Sequence, residues 1–139
     1  MAIIVALSGV ALLGFAGIAL DAGHLYVNKA ELQTAADACA LAASSELTCN
    51  PAGGTCPGSF LLNAQAAGIF AAGRNKRDFQ STGVTIAAAD VTFSTTLAPN
   101  SNYLSIAGGA SNNSRYVMCT ARATGIAPWF MAAVGAGQQ

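Results

Sequence analysis

Residues 1–20, MAIIVALSGVALLGFAGIAL, carry no charged side chain, and their reading decides the rest of the chain. At about 1.5 Å of rise per helical residue they span roughly 30 Å, the thickness of a bilayer's hydrocarbon core. The stretch is therefore expected to lie in a membrane at some stage. Asp21 is the first charge, yet helix-forming residues run on without proline through LYVNKAELQTAADACALAASSEL to about Leu47. Leu25, Leu32, Ala36, Cys39 and Ala43 fall on one side of that continuation. The economical reading is one helix of about 45 residues, roughly 70 Å long. Its first half is apolar all round and its second half amphipathic, so the two halves need different surroundings.

Inside the apolar half, Gly9, Gly14, Gly17 and Gly23 would weaken a helix in water but let neighbouring helices approach closely in an apolar setting. Ala2 with Ala6, and Ala19 with Gly23, repeat the small-xxx-small spacing, although no strict G-x-x-x-G occurs. His24 shares a helical face with Asp21 and reads as a polar residue at the membrane edge, beside the amphipathic ring of Tyr26.

The whole chain has 139 residues, of which 9% are charged, and its formal net charge is zero. After the long helix there is room for one small domain. Without a basic surplus, nucleic acid is disfavoured as a partner. So few charges suit a protein that lives among copies of itself or in lipid. The four cysteines, Cys39, Cys49, Cys56 and Cys119, show no tightly spaced Cys-x-x-Cys pair and only one histidine accompanies them. This favours disulfides over zinc, and disulfides imply export. Three connectivities are open to four cysteines. The pairing expected is Cys49 with Cys56, closing the NPAGGT loop, and Cys39 with Cys119, tying the helix to the last strand. No cofactor or metal site is expected.

TCNPAGGTCPGS, residues 48–59, is a turn region that ends the long helix. Ser59 is placed to cap a second helix with Leu62, Ala66, Ile69 and Phe70 on one face, ending at Gly73. Arg74, Lys76 and Arg77 follow, suited to a helix C-terminus. Beyond them VTIAAADVTFSTTL, NYLSIAGG and SRYVMCTARAT are rich in β-branched and aromatic residues, predicting three or four short antiparallel strands. The closing IAPWFMAAVGAGQQ carries Trp129 and Phe130 after a proline, as a short helix or a tail packing on a neighbour. The fold class expected is α+β: a long N-terminal helix packed at its C-terminal half against a short second helix and a small antiparallel sheet. The division expected is residues 1–47 as the helix, with 1–20 transmembrane before assembly, and residues 48–139 as an exported head. No paired carboxylates and no G-x-S-x-G nucleophile elbow appear, so an enzyme is disfavoured.

Asp21-Ala22-Gly23-His24-Leu25-Tyr26 and Leu32-Gln33-Thr34-Ala35-Ala36-Asp37-Ala38-Cys39-Ala40-Leu41-Ala42, behind an apolar helix, resemble the N-terminal segment of the TadE/TadG-like proteins of bacterial tight-adherence (Tad) pili. The resemblance covers about the first 44 residues. It implies a type IV pilin-related subunit: a precursor in the bacterial inner membrane, cleaved by a prepilin peptidase, then moved by pilus assembly machinery into an extracellular filament of copies of itself. Met1 is on this reading the first residue after a processed leader. Type IV pilins generally carry a glutamate five residues from the mature N-terminus, where this chain has Val5, so apolar packing would have to set the register. Assembly contacts are accordingly expected at Met1, Val5, Gly9, Gly14, Gly17 and Asp21. The shortness of the chain favours a filament-building role over an elaborate anchor. The alternative is a single-pass, membrane-anchored minor component of a Tad-type pilus or secretion machine that does not polymerise. A small exported binding module, using Trp129 and the aromatic strand residues, is a third class.

Overall fold

A computed structural model describes residues 1–49, 56–98 and 102–130. Helix α1 runs from Ala2–Glu46 and helix α2 from Phe60–Gly73. The short strands are β1 (Lys76–Arg77), β2 (Thr82–Gly83), β3 (Val91–Ser94) and β4 (Tyr116–Cys119), with a 3-10 turn at Ala88–Asp90 before β3. The architecture is α+β, with a long N-terminal helix, a short second helix and small antiparallel sheets. Two compact units divide it: Met1–Ala30 with Ala123–Gln139, and Glu31–Arg122. The division falls within α1 rather than at its end.

Nothing interrupts the 45 residues of α1. Its serines bond back to the preceding turn, Ser8 Oγ donating to Val5 O at 3.0 Å, Ser44 Oγ to Leu41 O at 2.9 Å and Ser45 Oγ to Ala42 O at 2.8 Å. A hydroxyl satisfied in this way needs no water, which suits Ser8 to an apolar environment.

The unit Glu31–Arg122 holds the hydrophobic core, where Ala35 and Cys39 of α1 meet Phe60, Leu61, Ala64 and Ala72 of α2 and Val91 and Phe93 of β3. Two corrections to the sequence reading emerge. On α1, Ala35, Cys39 and Ala43 are fully buried while Leu25 is half exposed. On α2, Phe60, Leu61, Ala64, Gly68 and Ala72 are buried, whereas Leu62 and Phe70 face outward. A helix apolar nearly all round has no unique face by periodicity. Closeness of approach decides instead: a Cβ on Gly68 would sit 3.0 Å from both O and Sγ of Cys39 and 3.1 Å from Cβ of Ala43. Only the small-residue line of α2 fits so near to α1. Ser59 precedes α2 but makes no side-chain capping bond.

The strands also differ from expectation. β3 pairs antiparallel with β4, matching Val91 to Cys119 and Phe93 to Val117. The NYLSIAGG stretch adds only a bridge, Leu104 to Phe93. It then turns, with Ser105 Oγ accepting the Gly108 N–H at 3.1 Å and Gly109 at φ +87°. β1 and β2 form a hairpin, Lys76 opposite Gly83 and Arg77 opposite Thr82, around Asp78, Phe79 and Gln80, all with positive φ. Cys39 and Cys119 lie at disulfide distance, S–S 2.04 Å, as do Cys49 and Cys56 at 2.02 Å. The first pair joins α1 to β4, and the second closes a loop whose interior lies outside the described residues. An Arg122–Asp90 ion pair at 3.2 Å stands at the rim of β3.

Candidate assembly face of the N-terminal helix

Helix α1, whose residues 2–20 carry no charge, is long and apolar enough, by length and composition, to cross a membrane. Ile3, Ile4, Val5, Leu7, Val10, Leu12, Leu13, Phe15, Ile18 and Leu20 are all exposed, from 57% to 75%. Each such side chain gains roughly 1.5–3 kcal/mol on full burial. A surface of this kind is not stable against water and has to be covered by lipid or protein.

The sequence-predicted contact residues separate into two groups. Met1 and Val5 are exposed, and a Cβ built on Gly9 or Gly14 would meet none of the described residues within 4 Å. Gly17 and Asp21 are covered by the chain's own C-terminal segment. A Cβ at Gly17 would fall within the ring of Phe130. One turn on, Asp21 Oδ1 accepts the backbone N–H of Trp129 at 2.8 Å and of Phe130 at 2.9 Å. His24, another three residues along, stacks on the Trp129 ring with centroids 4.6 Å apart and planes 24° from parallel. Asp21 and His24 are consequently 6% and 4% exposed.

The chemistry of this clasp follows from the local sequence. Trp129 and Phe130 are helical residues directly after Pro128, and the first N–H groups of a helical turn have no acceptor within it. A carboxylate ordinarily supplies that acceptor from the neighbouring N-cap position. Here Asp21 supplies it from α1, across 108 positions of sequence, and its charge strengthens both bonds. Asn28 lies on the same face, fully buried; its Nδ2 donates to His24 O at 3.0 Å. Its Oδ1 has no hydrogen-bond partner among the described residues.

The expectation of a polar, membrane-edge His24 beside Asp21 missed this arrangement. The available signal was the spacing Gly17, Asp21, His24, which sets a small, an acidic and an aromatic residue on one helical face, together with the Pro-Trp-Phe sequence. Tyr26 is mostly exposed, as suits an interfacial ring. The aromatic residues named for a ligand face fall in different places: Trp129 rests on His24, while Tyr103 and Tyr116 line a shallow depression with Arg115 in the unit Glu31–Arg122. Among the described residues, no cluster of three or more His, Cys, Asp or Glu is placed to hold a metal ion.

Residues 1–53 match the Tad family model, described as "Putative Flp pilus-assembly TadE/G-like". No curated protein and no solved structure matches the chain significantly.

Proposed function

From a TadE/G-like pilus-assembly segment at residues 1–53, we propose that this pilus-related chain is a pilin-like structural subunit that polymerises through α1 into an extracellular filament. The observation that carries the reading is the exposed apolar first half of α1, continuous with a packed second half. Such a helix exchanges lipid for the helices of neighbouring copies with its apolar side chains covered throughout. The precursor then resides in the inner membrane, is cleaved by a prepilin peptidase, and presents the unit Glu31–Arg122 outside the cell. There an oxidising environment closes Cys39–Cys119 and Cys49–Cys56. Its role is structural, in contact with copies of itself and the pilus machinery.

Val5 favours a second reading, since it offers no carboxylate for charge pairing between subunits. On that reading the chain is a single-pass anchored component that never polymerises. The two are separated by electron microscopy of material sheared from cells and pelleted without detergent, with intact mass of its main protein. Filaments built of this chain, at a mass four hydrogens below the reduced chain, are the expected result. Single molecules that stay in the membrane fraction and need detergent would replace the filament reading with the anchor.

A further inference from the structure

Gly17 is the point where two uses of α1 compete. At about 100° per residue, Val10, Gly14, Gly17, Asp21 and His24 lie within an arc of about 80° on the helix. Among the described residues the N-terminal part of this face is open, since a Cβ on Gly14 would meet none of them within 4 Å. At Gly17 the same face is closed by the Phe130 ring, with Asp21 and Trp129 fastening the turn that carries it. A helix laid along this face can approach closely at Gly14 but is held off one turn later.

We propose that this face is a contact surface for α1 of a second copy, and that the Trp129–Phe130 turn occupies its outer end and has to leave before a neighbour can pack past Gly14. This rests on the reading of α1 as an assembling helix and adds a control to it. The second copy is the occupant that fits, because its own apolar stretch has the same length and the face runs from the covered seat into bare helix without a break. Lipid chains cover the apolar part equally well but gain nothing from the absence of a side chain at Gly14 and Gly17. Release of the turn is also feasible at this position: Asp21 is the first charged residue after the apolar stretch, where water can reach the carboxylate once the two N–H groups depart. Closed in the isolated chain, the turn keeps the outer end of the face from associating; opened, it adds one more turn of close-packing helix.

The chain's single tryptophan makes the seat observable. The experiment follows the full chain in mild detergent micelles by sedimentation equilibrium, with Trp129 emission and acrylamide quenching recorded on the same samples. Phe130→Ala uncovers Gly17 and leaves α1 unaltered. It is expected to lower the self-dissociation constant at least about tenfold. Trp129 is 60% exposed and stacked on His24, so its emission intensity reports whether that stack is kept. Gly17→Leu also expels the ring but fills the contact, so it is expected to give no gain in association. Phe130→Ala with unchanged or weaker association would overturn the proposal, whether or not the stack is kept. The filament reading is judged apart, on sheared material: stronger association without filaments removes that reading and keeps the control, while filaments with unchanged association do the reverse.

Discussion

The two halves of α1 use small residues in opposite ways. In residues 31–46, Ala35, Cys39 and Ala43 are fully buried, and Gly68 of α2 sits so near them that a methyl group would meet three atoms at 3.0–3.1 Å. In residues 2–20, a Cβ on Gly9 or Gly14 would meet none of the described residues within 4 Å, and the large side chains around them are exposed. Helix propensity does not separate the halves, since both are regular. What differs is whether the chain itself supplies the partner. Close approach between helices has been realised within the chain in one half and left available in the other. A substitution that fills the space should therefore cost folding in the second half and association in the first.

The largest effect is expected from the link that fastens β4 to the packed half of α1. Cys39–Cys119 spans a sequence separation of 80, and Cys49–Cys56 spans 7. Loop-closure entropy assigns roughly 4–5 kcal/mol to the long link and about 2.5 kcal/mol to the short one. Replacing Cys39 and Cys119 together by alanine should thus lower the denaturation midpoint of the oxidised protein well below that of the Cys49/Cys56 double variant. Equal losses, measured by denaturant titration of the full chain in detergent, would mean that the long link does not organise the unit Glu31–Arg122.

Gly14→Leu tests the other half. It should abolish pelletable filaments while leaving the melting of Glu31–Arg122 within about 0.5 kcal/mol, because a side chain at Gly14 would touch none of the described residues. Normal filaments from this variant would end the idea that close packing at Gly14 carries assembly. Gly68→Val is the converse. Overpacking of this order costs about 1–3 kcal/mol, read as a lower melting midpoint with the exposed half of α1 untouched. A neutral result would show that α2 can move away from α1 and that the contact at Cys39 is looser than its geometry.

How far the sequence exposes all this depends on the range of the signal. The long helix was legible because its cause is local: a charge-free stretch followed by proline-free, helix-forming residues. The turn region and the extent of α2 were legible for the same reason. The buried face of α2 was not, since FLLNAQAAGIFAAG is apolar in nearly every direction and only tertiary closeness selects Ala64, Gly68 and Ala72. The β1–β2 hairpin was hidden because KRDFQSTG lacks an Asn-Gly or Asp-Gly pair, the usual sign of a tight hairpin. Gly17 and Asp21 stood out in the sequence as assembly positions, yet nothing local tells that a segment 108 positions away covers them. The Pro-Trp-Phe sequence left open a short helix or a tail on a neighbour, and the structure sets it on α1 of its own chain.

That hidden hairpin supplies the smallest effect and the cleanest control. Asp78, Phe79 and Gln80 have φ of 57°, 53° and 68°, a conformation that costs L-residues with a Cβ about 1–2 kcal/mol each. Around the turn, Ser81 Oγ donates to Asp78 Oδ2 at 3.1 Å, and Gln80 Nε2 donates to Glu31 Oε1 at 3.3 Å. Phe79 is 54% exposed at the middle of the turn, so about half of its side chain is already in water and its removal uncovers little. Phe79→Gly removes the Cβ penalty but also loosens the unfolded chain. The net gain expected is therefore below 1 kcal/mol, a rise of a few degrees in melting temperature for a unit of this size. Association should not change, since the substitution lies far along the sequence from the open half of α1. A fall in melting temperature would show that the Phe79 ring contributes more to the unit than its left-handed backbone costs, and Phe79→Ala, which keeps the Cβ but loses the ring, would then fall further still.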